Sequence, residues 1–182
     1  MTSSRCIFIG GKQLGVNCLK RLLKKNIRPE WVMGNPDDEG EDNKFHDSLL
    51  KYARAENLKI IQDKKLNDPT LITSLKNFQP EIVFCIGGTR LIPKEILEIP
   101  RLGCVNIHPA LLPKYRGRYS TAHAIFNGET ETGVTIHWMD EGIDSGPIIS
   151  QETIAIDPDD TAKSLWEKFT AEGEKLFSSF LE

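Results

Sequence analysis

Residues 5–34, RCIFIGGKQLGVNCLKRLLKKNIRPEWVMG, decide the fold class. Arg5–Gly10 is an apolar run that reads as a buried strand entering the pair Gly10-Gly11. Leu14–Lys25 then places Leu14, Cys18, Leu19, Leu22 and Leu23 at helical spacing. Trp31–Gly34 reads as a second short strand. Strand, helix and strand in this order make a βαβ unit, whose crossover implies a parallel sheet. The expected class is α/β, a Rossmann-like single domain with a mostly parallel sheet flanked by helices.

The rest of the chain extends that pattern. Asn35–Asn43 (NPDDEGEDN) is acidic and reads as a solvated, mobile loop. Lys44–Asn57 is expected to be helical and Lys59–Ile61 a third short strand. Asp68-Pro69 marks a helix start, an N-cap carboxylate followed by proline in the first turn. Glu81–Gly87 (EIVFCIG) is the most strand-like run, and Pro93–Glu98 a short helix. Val105–His108, Thr132–Met139 and Ile148–Ile156 are further strands. The final helix follows Asp159-Asp160-Thr161, with Leu165, Trp166, Phe169, Leu176, Phe177 and Phe180 as its apolar stripe.

At 182 residues the chain fits one domain, residues 1–182, with a sizeable core. A net charge of −3 supplies no field that would draw nucleic acid or an anionic membrane. MTSSRCIFIGG contains no long apolar stretch, and no run approaches the length of a spanning helix, so a cytoplasmic protein is expected. The four cysteines lie in strand- or helix-like apolar runs without a CxxC pair, which fits buried thiols rather than zinc or a disulfide framework.

Candidate chemistry concentrates in residues 102–151. In Val105–His108 (VNIH), alternation turns Asn106 and His108 to one face. An amide donor and a titratable ring on an otherwise apolar strand can stabilise an oxyanion, or can be a hydrogen-bonded structural pair. The loop that follows carries Lys114, Arg116 and Arg118 between Tyr115, Gly117 and Tyr119. It suits a phosphate group or is a solvated basic loop. Gly10-Gly11 likewise suits a phosphate at a helix start or a tight turn. In residues 140–146 (DEGIDSG), Asp144 can pair with His108 and raise its pKa. The glycines there leave backbone groups free for a flat heterocycle. An EF-hand would need a different alternation and a terminal Glu.

NIHPALLPKYRG (106–117) and ETGVTIHWMDEGIDSGPIISQ (131–151) together resemble the folate-dependent formyltransferase family, which moves a formyl group from N10-formyltetrahydrofolate to an amine. The resemblance implies Asn106, His108 and Asp144 as the catalytic trio. Asn106 and a protonated His108 would hold the oxyanion of the tetrahedral intermediate, and Asp144 would fix His108 and relay a proton. The pterin would lie against Arg90, Leu91 and Ile92 and the loop of Asp140, Glu141, Gly142 and Asp144. Gly10, Gly11, Lys114 and Arg116 would bind the acceptor, and no metal is implied.

The resemblance also implies a small-molecule amine partner that bears phosphate, with no nucleic acid and no membrane, and it leaves a homodimer open. The LIPKEIL segment and TGVTIHWMDEGID point to a nucleotide-linked amino sugar. Glycinamide ribonucleotide transfer is the main alternative, although IGGKQLGVNCL departs from that phosphate loop. Methionyl-tRNA transfer is disfavoured by the acidic balance and by a chain that stops at its last amphipathic helix. A formyltetrahydrofolate deformylase or a non-catalytic folate-binding module complete the alternatives.

Overall fold

The computed structural model describes residues 5–61 and 65–182; Met1–Ser4, the start of the opening segment, lie outside the described residues. The strands are β1 (Cys6–Gly10), β2 (Trp31–Gly34), β3 (Ile82–Ile86), β4 (Gly103–His108), β5 (Glu131–Trp138) and β6 (Ile148–Ala155). Hydrogen bonding orders them β2-β1-β3-β4-β5-β6. β1 pairs in parallel with β2 and β3, β3 with β4, and β5 pairs antiparallel with β6. This is the expected α/β architecture with a mostly parallel sheet. The chain packs as two compact units, Met1–Val105 and Asn106–Glu182, the division falling inside β4.

In the first unit, β1 is buried along its whole length. The helix α1 (Lys12–Lys24) buries Leu14, Cys18, Leu19 and Leu22, as its spacing predicts, and Val16 besides, while Leu23 is half-buried. The glycine pair between β1 and α1 is required by close approach. A Cβ on Gly10, whose φ is +152°, would stand 1.8 Å from the Ile86 carbonyl oxygen, and one on Gly11 would stand 2.7 Å from the Asn35 amide. The Gly11 amide donates to Ile86 O at 3.1 Å. These contacts account for the pair as a tight turn, and the Gly11 N–H is occupied rather than open to an anion.

The acidic loop differs from the mobile segment expected. Asp38 accepts from the amides of Gly40 and Leu50 and from Ser48 Oγ, while Asp42 accepts from Ser48 N and Lys51 Nζ. Its carboxylates satisfy the open amides at the start of α2 (Leu49–Ala55), where negative charge is favoured. That helix begins later than the apolar pattern suggested, because extended Ser48 caps it through Lys51 N. The strand expected at Lys59–Ile61 reduces to one bridge, Val32 to Ile60. Asp68 caps α3 (Pro69–Phe78) through Thr70 N and Leu71 N, as anticipated. A single turn, α4 (Lys94–Leu97), precedes β4.

In the second unit, α5 (Ser120–Phe126) leads to β5, and α6 (Ala162–Phe180) closes the chain. Leu165, Phe169, Leu176 and Phe177 are buried, and Trp166 and Phe180 flank them in ring contact with Phe169 and Phe177. Thr161 and Ser164 form a capping box at the start of α6. Asp160 reinforces it by accepting from Lys168 Nζ and Ser164 Oγ, and Lys168, then Ser164 and the Asp157 amide, hold its carboxyl down at about 2. A carboxyl depressed in the folded state contributes stability above its unfolded value near 3.8, lost as pH falls through about 2. Acid unfolding of Asp160→Asn, followed by circular dichroism, is therefore expected to lack that low-pH component of the wild-type profile.

All four cysteines are free and buried, and burial pushes the Cys6 thiol up to about 12, so it is unreactive. No helix among the described residues is long and apolar enough to cross a membrane.

Candidate active site

The second unit gathers the three residues singled out by pattern. β4 carries Asn106 and His108, and the loop after β5 carries Asp144, whose backbone is left-handed at φ +48°. His108 is 4% exposed and sits between two acceptors. Its Nε2–H donates to the Tyr115 carbonyl at 2.8 Å, because a carbonyl can only accept. Its Nδ1 faces Asp144 Oδ2 at 3.2 Å. Asp144 Oδ2 also accepts from the Gly117 amide at 2.8 Å. One loop thus grips both partners, taking a proton from the ring and giving one to the carboxylate.

The resemblance implies a protonated His108, which the chain without substrate does not favour. Burial lowers its pKa below the ordinary 6.5, and the neighbouring imidazole of His137 adds to that. The Asp144 charge and the Tyr115 carbonyl oppose the shift without reversing it. The ring is therefore neutral at pH 7, with Nε2 protonated and a lone pair on Nδ1. Burial alone would raise the Asp144 carboxyl, but the neighbouring imidazoles of His137 and His108 and the Gly117 amide together lower it. Asp144 is a carboxylate across the physiological range.

A fourth member, His137, was not placed in the trio by sequence reasoning. It is 1% exposed; Nδ1–H donates to Trp138 O at 2.9 Å, which leaves Nε2 to accept from Asn106 Nδ2 at 3.2 Å. The Asn106 amide also lies 3.4 Å from Asp144 Oδ1, so both of its N–H groups point into the cluster rather than outward. Thr135, on the same face of β5, donates to Ala110 O at 2.6 Å and accepts from Leu112 N and Gln151 Nε2. These bonds fix the Pro109–Pro113 exit of β4. The signal was legible: Thr135-x-His137 repeats the polar-x-His spacing of Asn106-x-His108 on a second apolar strand.

The loop of Asp140, Glu141 and Gly142 is stiffened by Asp140, whose Oδ1 accepts from Gly142 N and Ser145 Oγ. A Cβ on Gly146 would stand 1.9 Å from Trp138 O, so glycine is obligatory there. Lys114 and Arg116 project from the exposed loop before α5, and no carboxylate among the described residues pairs with either.

In the first unit, Arg90 and Leu91 line a cleft of about 710 Å³, while Ile92 does not. Its wall combines Met33, Leu50, Ile61 and Leu66 with the amides of Asn35 and Asn67 and the cation of Lys65. Asn35 is held by donating to Gly87 O and accepting from Thr89 N, which positions the turn after β3.

The chain is 39% identical over 176 residues to the methionyl-tRNA formyltransferase of Thermodesulfovibrio yellowstonii, an alignment covering 96% of this chain and 57% of that protein. The chain therefore spans little more than half the length of that curated relative. An N-formyltransferase from Helicobacter canadensis, crystallised with folinic acid and dTDP-3-aminofucose, superposes with a TM-score of 0.83 at 30% identity, over 97% of this chain and 62% of that one. Phosphoribosylglycinamide formyltransferase from Bacillus halodurans superposes at 0.79 and 25% identity, over 98% and 96%. The family model for formyl transferases spans residues 5–181, which takes in both the cleft of the first unit and the histidine–aspartate cluster of the second, and the chain belongs to that family.

Proposed function

We propose that this chain transfers a formyl group from N10-formyltetrahydrofolate to a primary amine, with residues 1–182 acting as the catalytic domain. The observation that carries the reading is His108 clamped by the Tyr115 carbonyl, with its Nδ1 beside the Asp144 carboxylate. A bound carrier supplies the formyl group and, on losing it, a nitrogen that needs a proton. His108 Nδ1 accepts the proton that the attacking amine releases, and the Asp144 charge at 3.2 Å stabilises the imidazolium so formed. The same nitrogen then returns the proton. Asn106, held by His137, orders the cluster.

The cleft of the first unit fits a reduced folate. Flat rings suit its apolar walls, the amides suit a heterocycle edge, and Lys65 and Arg90 suit the glutamate carboxylates. No resident metal enters this reading.

For the acceptor, the proposal is a nucleotide-linked amino sugar, whose diphosphate Lys114 and Arg116 would bind. The Helicobacter canadensis enzyme, crystallised with dTDP-3-aminofucose, supports it. A specific observation favours a second reading, formylation of methionyl-tRNA: curated relatives with that name match at up to 39% identity. Release of tetrahydrofolate from N10-formyltetrahydrofolate, followed by absorbance, separates these. The acceptors would be aminated dTDP-, GDP- and UDP-sugars, methionyl-tRNA, glycinamide ribonucleotide, and water alone. Turnover with one sugar nucleotide is the expected outcome; turnover with methionyl-tRNA or glycinamide ribonucleotide alone reassigns the acceptor, and no turnover with any amine rejects formyl transfer.

A further inference from the structure

We infer that Glu129, together with Asn127, is a positioning residue for His108 and acts through the hydroxyl of Tyr115. The inference rests on the formyl-transfer reading for its catalytic consequence, but its geometry stands apart from it. Tyr115 O–H donates to Glu129 Oε1 at 2.7 Å and accepts from Asn127 Nδ2 at 3.0 Å. Both partners belong to the turn between α5 and β5, which α5 separates from the loop that Tyr115 occupies.

The tether is needed because Tyr115 is strained. Its φ of +54° is left-handed, a conformation that costs a residue with a Cβ roughly 1–2 kcal/mol. Left to itself the loop would relax, and the Tyr115 carbonyl would leave His108. Four bonds prevent this: the phenol's two to the turn, Lys114 N to Leu111 O at 3.0 Å, and Gly117 N to Asp144 Oδ2.

What the tether decides is the tautomer. His108 is flanked by the Tyr115 carbonyl on one side and by Asp144 on the other, with His137 close behind the carboxylate at 3.6 Å. With the carbonyl in place, the single proton of the neutral ring sits on Nε2 and the lone pair on Nδ1. Without it, a buried Nε2–H has no acceptor, and the better neutral form places the proton on Nδ1, donated to Asp144. That form has no lone pair at Nδ1 to accept the amine's proton. Glu129 thus keeps the working nitrogen basic from the far side of Tyr115.

Nitrogen-15 imidazole NMR of the full chain, with His108 assigned by loss of its signal in His108→Ala, tests this without substrate. Wild type is expected to show an Nε2–H ring. Tyr115→Phe and Glu129→Ala should move it toward Nδ1–H and lower its pKa by about half a unit. Glu129→Gln keeps a carbonyl acceptor for the phenol and should restore the wild-type spectrum. In turnover, Tyr115→Phe should lower kcat about tenfold with KM little changed. An unaltered tautomer and titration in both Tyr115→Phe and Glu129→Ala would overturn the inference even if the wild type transfers formyl groups. A moved tautomer in a protein that formylates no amine would uphold the tether and reject the formyl-transfer reading instead.

Discussion

His108→Ala is expected to lose about 10³-fold in kcat/KM for formyl transfer, the scale on which a positioned proton carrier contributes. The variant should bind folinic acid as wild type does, because the cleft proposed for the folate is built in the first unit, from residues 33–36, 38, 50, 61, 65–67, 90, 91 and 93. His108 is buried, so its removal leaves a gap, and His108→Asn serves as a control that retains a polar side chain there. Both variants should fall to the same residual rate if the lost function is proton transfer. Wild-type turnover carries a further mark of the lowered pKa. A base that is neutral below the ordinary 6.5 stays competent into mildly acidic buffer, so the acid limb of the kcat/KM profile should lie below that value. An acid limb at or above 6.5, or a His108→Ala variant with wild-type turnover, would sink the mechanism.

Gly10→Ala should be the most destabilising small substitution in the first unit. The new Cβ would stand 1.8 Å from the Ile86 carbonyl oxygen, at a φ of +152° that residues with a side chain rarely adopt. The obstruction is backbone on β3, which cannot rotate away as a side chain would. Relief requires β1 and β3 to part where Gly10 pairs with Ile86. A loss of at least about 3 kcal/mol follows from overpacking combined with backbone strain. For a chain of this size that lowers Tm by roughly 6–12 °C. Gly88→Ala is the matched control, since a Cβ there meets nothing within 4 Å. Equal thermal denaturation midpoints for the two variants would contradict the packing account.

The elements most legible in the sequence were those whose pattern and caps agree. β1, β2, β3, α3 and α6 fall within a residue or two of their expected bounds. Each has an uninterrupted apolar run or stripe, and the two helices carry capping side chains that mark their starts. The segment between β2 and α3 was read less well. Its carboxylates look like repelling charges until Ser48, Leu50 and Lys51 are brought beside them. Similarly, the strand expected at residues 59–61 has the right residues but makes only one bridge, a pairing set by its neighbour rather than by its own sequence.

By itself, the sequence determined the α/β class, the polar face of β4, the glycine-bounded turns and the family motif, since these depend on periodicity and on residue types close along the chain. Tertiary structure decided the chemistry of the cluster. Whether His108 is charged depends on burial set against one carboxylate and one carbonyl, and no spacing rule balances those contributions. The partners of His137, Thr135 and Glu129 are fixed only when the chain folds and brings them to Asn106, to the exit of β4 and to Tyr115. Desolvation and hydrogen-bond geometry are properties of the packed chain, and they assign the proton that the sequence could only offer a place for.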